Sequence, residues 1–304
     1  MLKSKILIIL LLITNFVIFS KAEQEVKKDG LSVVTSILPQ KYFVERIGGD
    51  RVNCTVLVGP GKNPATYQPT PSQIVELGEA TILFTIGVPF ENAYLDKFTQ
   101  SLNRLNIVDT STGIEKNPIS NHHHDEEEEG HEEGEEHEET EGSLDPHVWL
   151  SPVLAKTVAK NIYNTLVEYD PEGKEFYTQG YNSLLVDLDS INKELHEILK
   201  PYKGKILFVY HPSFGYFSKE YGLEQIAIET GGKEPTSSQL THIIDEAIEE
   251  SVKIIIVQPE FSQKSANIIA NSINGTVTTL NPLDLDYINN LRSIANTIVG
   301  AYEL

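Results

Sequence analysis

The sequence predicts an α/β protein of two lobes, each a parallel sheet flanked by helices, joined by one long linking helix. Three observations carry this reading. Short β-branched runs alternate with longer segments of helical period; the alternation occurs once before about residue 120 and again after about residue 203; and the longest periodic stretch of the chain lies between. Strand and helix in alternation build parallel sheets covered on both faces.

Residues 1–22 come first. Lys3 and Lys5 precede an apolar run over 6–19, and Ser20-Lys21-Ala22 offers the small residues a leader peptidase needs, the pattern of a secretory signal peptide cleaved near Ala22. The apolar run is shorter than the roughly 20 residues a membrane-crossing helix requires, so a retained anchor is the weaker reading. Buried strands are expected over 31–37, 52–58 and 81–86, with helices between and after them, for example over 71–78 and 91–103. A helix over 152–168 leads to the linker over 172–200. Its residues Phe176, Leu184, Leu188, Ile191, Leu195 and Ile198 recur at helical intervals, Pro171 suits its first turn and Pro201 stops it. At 1.5 Å per residue that helix would run about 42 Å, enough to bridge two domains. The second lobe repeats the pattern with strands over 205–210 and 253–257. The chain thus divides into a leader over 1–22, a first lobe over 23–150, helices including the linker over 151–202, and a second lobe over 203–304.

Composition narrows the function. The formal charge is −20, and residues 121–142 hold twelve Asp/Glu and no Lys or Arg. Nucleic acid and anionic membrane surfaces both require clustered Lys/Arg, so neither is an expected partner; cationic ligands are compatible with such a balance. The single cysteine, Cys54, cannot close an intrachain disulfide and lies too far from the leader to be a lipid-attachment site, and its apolar neighbours make it a core thiol. Export without disulfides, to the periplasm, is the expectation.

The histidines are unevenly placed. Five of the nine, His122, His123, His124, His131 and His137, lie in the acidic tract 121–142, which has nothing apolar to bury and is expected to be a disordered surface loop. Five imidazoles among so many carboxylates suit weak, multivalent zinc capture, though a solvated charge run is the usual meaning of such a stretch. His196 on the linker and His242, opening a helix over 241–250, read as solvent-facing. His147 and His211 differ. His147 sits in Asp145-Pro146-His147-Val148-Trp149-Leu150-Ser151-Pro152, a proline-bounded turn that opens a helix and contains the single tryptophan. His211 follows the strand over 205–210 at its carboxyl end, where ligands of open α/β sheets bind. One imidazole from each lobe would then face a shared cleft, and neutral imidazole is a common ligand for zinc and its late first-row neighbours. On spacing alone, two lone histidines are also compatible with satisfied structural roles.

Five words of the sequence resemble a known family: Asp-Pro-His-Val-Trp-Leu-Ser-Pro at 145–152, His-Pro-Ser-Phe-Gly-Tyr-Phe at 211–217, Tyr-Gln-Pro-Thr-Pro-Ser at 67–72, Gln-Pro-Glu-Phe-Ser at 258–262 and Leu-Asn-Pro-Leu-Asp at 280–284. In order and in register from about Ser32 to the C-terminus, they are similar to the zinc/manganese solute-binding proteins of ABC importers. The His/acid tract before the Asp-Pro-His-Val-Trp word matches the zinc branch, the ZnuA-like periplasmic proteins. The resemblance implies two lobes joined by a long helix, a metal ion held between them, and delivery of that ion by a monomeric carrier to a membrane permease driven by a cytoplasmic ATPase. It also implies metal-binding roles for His147 and His211. Two positions depart from the family pattern. The family's first metal-binding histidine falls at Ala65, which cannot coordinate, and the aspartate of its Asp-Pro-Leu word is Asn281, a weaker donor.

Zinc takes four donors in a tetrahedron, and the sequence leaves the missing ones open. A third imidazole could swing in from His122–His124, with water or Asp284 completing the shell. Water could fill the empty positions, or the metal could arrive already chelated. The cleft site could also be lost, leaving the tract as a low-affinity zinc chaperone or the chain as an adhesin. An enzyme is the rival class; against a zinc hydrolase, the chain has no His-Glu-x-x-His helix, no Gly-x-Ser-x-Gly elbow and no carboxylate placed as a general base.

Overall fold

In the computed structural model, residues 30–119, 144–229 and 233–303 are described. The leader over 1–22 and the tract over 121–142 lie outside them, and with the tract His122, His123, His124, His131 and His137.

Two sheets of four parallel strands form the two lobes. The first has strands β1 (Leu31–Ile37), β2 (Val52–Val58), β3 (Ile82–Thr85) and β4 (Asn106–Asp109), in the order β2-β1-β3-β4. The second has β5 (Ile206–Val209), β6 (Glu224–Ala227), β7 (Ile254–Val257) and β8 (Thr276–Thr279), in the order β6-β5-β7-β8. Each sheet therefore winds outward in both directions from its first strand. The crevice for a ligand in such a sheet opens at the carboxyl ends of the strands where the winding reverses, at β1/β3 in one lobe and β5/β7 in the other.

The long apolar runs that mark β1, β3, β5 and β7 are the inner strands, buried on both faces. Strands β4, β6 and β8 carry no such run. They are edge strands, half-exposed and partly polar, such as Thr276–Thr279, and only tertiary pairing makes them strands.

Helices α1 (Leu38–Gly48), α2 (Pro71–Glu79), α3 (Pro89–Ser101) and α4 (Pro152–Tyr169) accompany the first lobe, and all but α1 begin on a proline, whose fixed φ suits the first turn. Thr70 and Gln73 form a capping box at α2, and the Ser151 hydroxyl accepts the Leu154 N–H at α4. Helix α5 (Lys174–Leu199) is the linker, flanked by short 3-10 turns over Pro171–Gly173 and Lys200–Tyr202. Its 26 residues span about 39 Å.

The buried stripe of α5 differs from the expected one at both ends. Leu184, Leu188, Ile191 and Leu195 are buried, and the stripe extends seven residues back to Tyr177 and four residues on to Leu199, both fully buried. Phe176 points outward against Gly49 and is half-exposed. At Gly180 the linker backbone meets the carbonyls of Arg46 and Ile47 so closely that an added Cβ would stand 2.7 Å from them, so glycine permits the packing of α5 on α1.

Helices α6 (Gly215–Tyr221), α7 (Ser237–Glu249) and α8 (Lys264–Ser272) serve the second lobe. Helix α7 starts four residues before the expected position, on the Thr236/Gln239 capping box, so His242 lies in its second turn. The last helix, α9 (Tyr287–Tyr302), returns to pack on α5 and α1, with the Tyr287 ring centre 4.8 Å from that of Phe43. One continuous apolar core runs from the first sheet through α4, α5 and α9, while Phe208, Ile243, Ile255 and Ile269 belong to a smaller cluster of the second lobe. Cys54 is half-buried against the main core, and burial pushes its thiol up to about 12, which makes it unreactive. Among the described residues, no helix is long and apolar enough to cross a membrane.

Candidate metal centre

The carboxyl ends of both sheets face one cavity of about 560 Å³. Asn63 to Ala65 follow β2, Gly87 and Val88 follow β3, His211 follows β5 and Glu260 follows β7; Pro146, His147 and Trp149 complete the wall. His147 and His211 meet here, with ring centres 5.2 Å apart and planes at 73°. Two imidazoles bound about 2.0–2.1 Å from one zinc at the tetrahedral angle have ring centres about 5 Å apart.

Each ring is held through the nitrogen that would not face a metal. Asp145 Oδ1 lies 2.6 Å from His147 Nδ1, and Glu229 Oε1 lies 2.6 Å from His211 Nδ1. Both carboxylates are buried, at 3% and 4% exposure. An ionised carboxylate only accepts, so each ring keeps its proton on Nδ1 and presents the Nε2 lone pair. Carboxylate-fixed histidines of this kind are the usual support of metal-bound imidazole, and they raise its basicity.

The His147 turn is fixed from several sides. Asp145 Oδ1 also accepts the His147 backbone N–H at 2.9 Å, an Asx-type turn that the following 3-10 turn, Val148–Leu150, continues. The buried Trp149 donates its indole N–H to the Pro282 carbonyl at 2.8 Å, and the Trp149 carbonyl accepts from the Tyr287 hydroxyl at 2.6 Å. The Tyr216 hydroxyl donates to the Asp145 carbonyl at 3.0 Å and accepts the Asn117 N–H. The His211 backbone exchanges two hydrogen bonds with the buried Gln258 amide, and Phe261 stacks on the His211 ring at 5.0 Å.

On the first-lobe wall, the buried Glu91 carboxyl accepts the N–H groups of Ile86 and Gly87 and so fixes the exit of β3. Burial pushes it up to about 7. Burial also raises Glu260, against the lowering effects of its own backbone N–H and of His211.

Residues 33–301 match the profile of a family described as ZnuA, the periplasmic component A of zinc-uptake complexes. The chain belongs to the ZnuA family.

The family profile covers both lobes and the linker. Among ZnuA-like relatives, the high-affinity zinc uptake system protein ZnuA of Bacillus subtilis (strain 168) is 31% identical over 276 residues, covering 87% of this chain and 82% of that protein. A crystal structure of ZnuA superposes with a TM-score of 0.81 at 36% identity, covering 90% of this chain and 99% of that one. A zinc-bound ZnuA deletion mutant gives 0.80 at 35% identity, covering 90% and 98%. The ZnuA family consists of metal-binding transport components rather than enzymes, and zinc is the ion it carries.

Of the metal-ligand positions expected from the sequence, the structure of this ZnuA-family chain brings His147 and His211 together. It does not bring Asn281 or Asp284 to the cavity wall, which their neighbours Pro282 and Leu283 line instead. The reason is local. The Asn281 side-chain Oδ1 accepts the Leu283 N–H at 2.9 Å, its Nδ2 donates to Asp284, and Asp284 also accepts the Asp286 N–H, so this turn binds itself. Ala65 is on the wall, its N–H held by the Asn63 side chain.

His196 is exposed beside Glu220, as its place on the linker suggests. Three residues of the site were not assigned roles from the sequence. Asp145 belongs to the Asp-Pro-His-Val-Trp word and Glu260 to the Gln-Pro-Glu-Phe-Ser word, so both lay within recognisable text. Glu229 is eighteen residues beyond His211 and no motif marks it. Among the described residues, no three His, Cys, Asp or Glu side chains already stand close enough together to hold an ion.

Proposed function

We propose that this chain captures zinc outside the cytoplasm between Nε2 of His147 and Nε2 of His211, and hands it to the membrane permease of an ABC importer powered by a cytoplasmic ATPase. It acts as a monomer, exported by a leader cleaved near Ala22. The observation that carries the site is the convergence of two imidazoles at 5.2 Å, each held at Nδ1 by a buried carboxylate, which leaves Nε2 available. Family membership supports transport as the purpose of that site.

Two imidazoles form a partial shell that binds firmly yet leaves open positions through which the ion can be passed on. In a calorimetric zinc titration of the metal-free mature protein, His147→Ala and His211→Ala should each abolish the tight event. Tight binding unchanged in both variants overturns the assignment. Mass spectrometry of the exported protein checks the leader, the expected mature chain beginning near Glu23.

A further inference from the structure

We propose that Glu260 is a third protein ligand to the captured metal, supplying from the second lobe the donor that Ala65 cannot supply from the first. The proposal rests on the His147–His211 reading and deepens it. Its basis is the way residues 258–261 are fastened to His211. On one side of Glu260, Gln258 Nε2 donates to the His211 carbonyl at 2.7 Å and Gln258 Oε1 accepts the His211 N–H at 3.3 Å. On the other side, the Phe261 ring stacks on the His211 imidazole with planes 21° apart. Glu260 is thereby held beside a metal-facing ring and lines the same cavity as His147, His211 and Ala65.

The chemistry of the wall favours this use. The cavity that Glu260 lines is largely apolar, with Val88, Pro89, Trp149, Pro282 and Leu283 on its wall and Lys116 as its one ammonium, and a divalent cation there would add compensation to a partly buried carboxylate. The two histidines reach the shell with Nδ1 held by Asp145 and Glu229, which leaves Nε2 to donate. One carboxylate then offsets half the charge of a divalent ion, and a single water completes four-coordination. Among the described residues no three donors stand together, so Glu260 would have to rotate its side chain to join the two rings.

The test is a zinc titration of the full mature protein against a competing chelator, with Glu260→Gln compared to wild type, His147→Ala and His211→Ala. Loss of a group that merely orients a metal ligand weakens binding about 10–100-fold, so Glu260→Gln should weaken it by at least about tenfold. The melting temperature of the metal-free variant should match wild type, which separates a lost ligand from a damaged fold. The visible spectrum of the cobalt-loaded protein should also shift in Glu260→Gln, because it reports the donor atoms. Wild-type affinity and an unchanged cobalt spectrum in Glu260→Gln overturn the proposal while the histidine variants still lose binding; if the histidine variants also bind normally, the underlying cleft reading has failed instead.

Discussion

The two lobes offer the same ligand by different means. His211 is fixed within its own lobe, by Glu229 after β6 and by Gln258 and Phe261 after β7. His147 is fixed largely by residues from beyond its own lobe: Pro282 receives the Trp149 indole, Tyr287 binds the Trp149 carbonyl, and Tyr216 binds the Asp145 carbonyl. The strand-end histidine needs only the local sheet, whereas the turn histidine needs the assembled molecule. Damage to the packing around α9 should therefore reach the metal through His147 first.

After loss of either histidine itself, the largest expected effects come from the two orienting carboxylates. Asp145→Asn and Glu229→Gln should each weaken zinc binding about 10–100-fold, measured by chelator competition. Alanine variants should separate the two in stability. An amide at 145 would still accept the backbone N–H inside the turn, whereas Asp145→Ala loses that bond, so Asp145→Ala should lower the melting temperature more than Glu229→Ala. Equal melting temperatures would remove the proposed distinction between turn and strand end.

Next in size, Trp149→Phe leaves the buried Pro282 carbonyl unpaired and should cost about 1–3 kcal/mol of stability in denaturant titration. Tyr216→Phe removes a hydroxyl that bridges Asn117 and Asp145 and should cost about 1 kcal/mol. Both should loosen His147 and weaken zinc binding, and a variant that loses stability with no loss of affinity would break the link between packing and ligand position.

Glu91 sharpens the comparison through pH. Its folded pKa is raised from 4.5 to about 7, so between those values the folded protein holds a proton that the unfolded chain releases. Its contribution is thus fully present below 4.5 and lost as pH rises through about 7. The melting temperature of the metal-free protein should fall between pH 5 and pH 8, and Glu91→Gln should reduce that fall. The smallest effect on the tight site is expected from deleting residues 121–142, which should remove weak zinc-binding events while leaving the tight one in the same titration.

Much of the fold was legible because the inner strands bury both faces and so are rich in apolar and β-branched residues, and because the linker carries a long helical stripe. The edge strands β4, β6 and β8 were not legible, since half-exposed residues such as Thr276 to Thr279 have no face to declare. Phe176 misled at the linker's start because an aromatic one position off the stripe looks the same in sequence as one on it. At the site, His147 and His211 stood out by placement and by their words. Glu229 could not, because its role exists only where β6 lies beside β5. Asn281 and Asp284 look like donors in sequence, and in the structure they hydrogen-bond within their own turn.

The central claim is that one ion bridges the lobes through two imidazoles. Anomalous diffraction at the zinc edge, from crystals of the zinc-loaded protein, tests it directly. The expected result is a single strong peak about 2.0–2.1 Å from Nε2 of both His147 and His211. A peak bound to one of these rings alone, or none in the cavity, would contradict it.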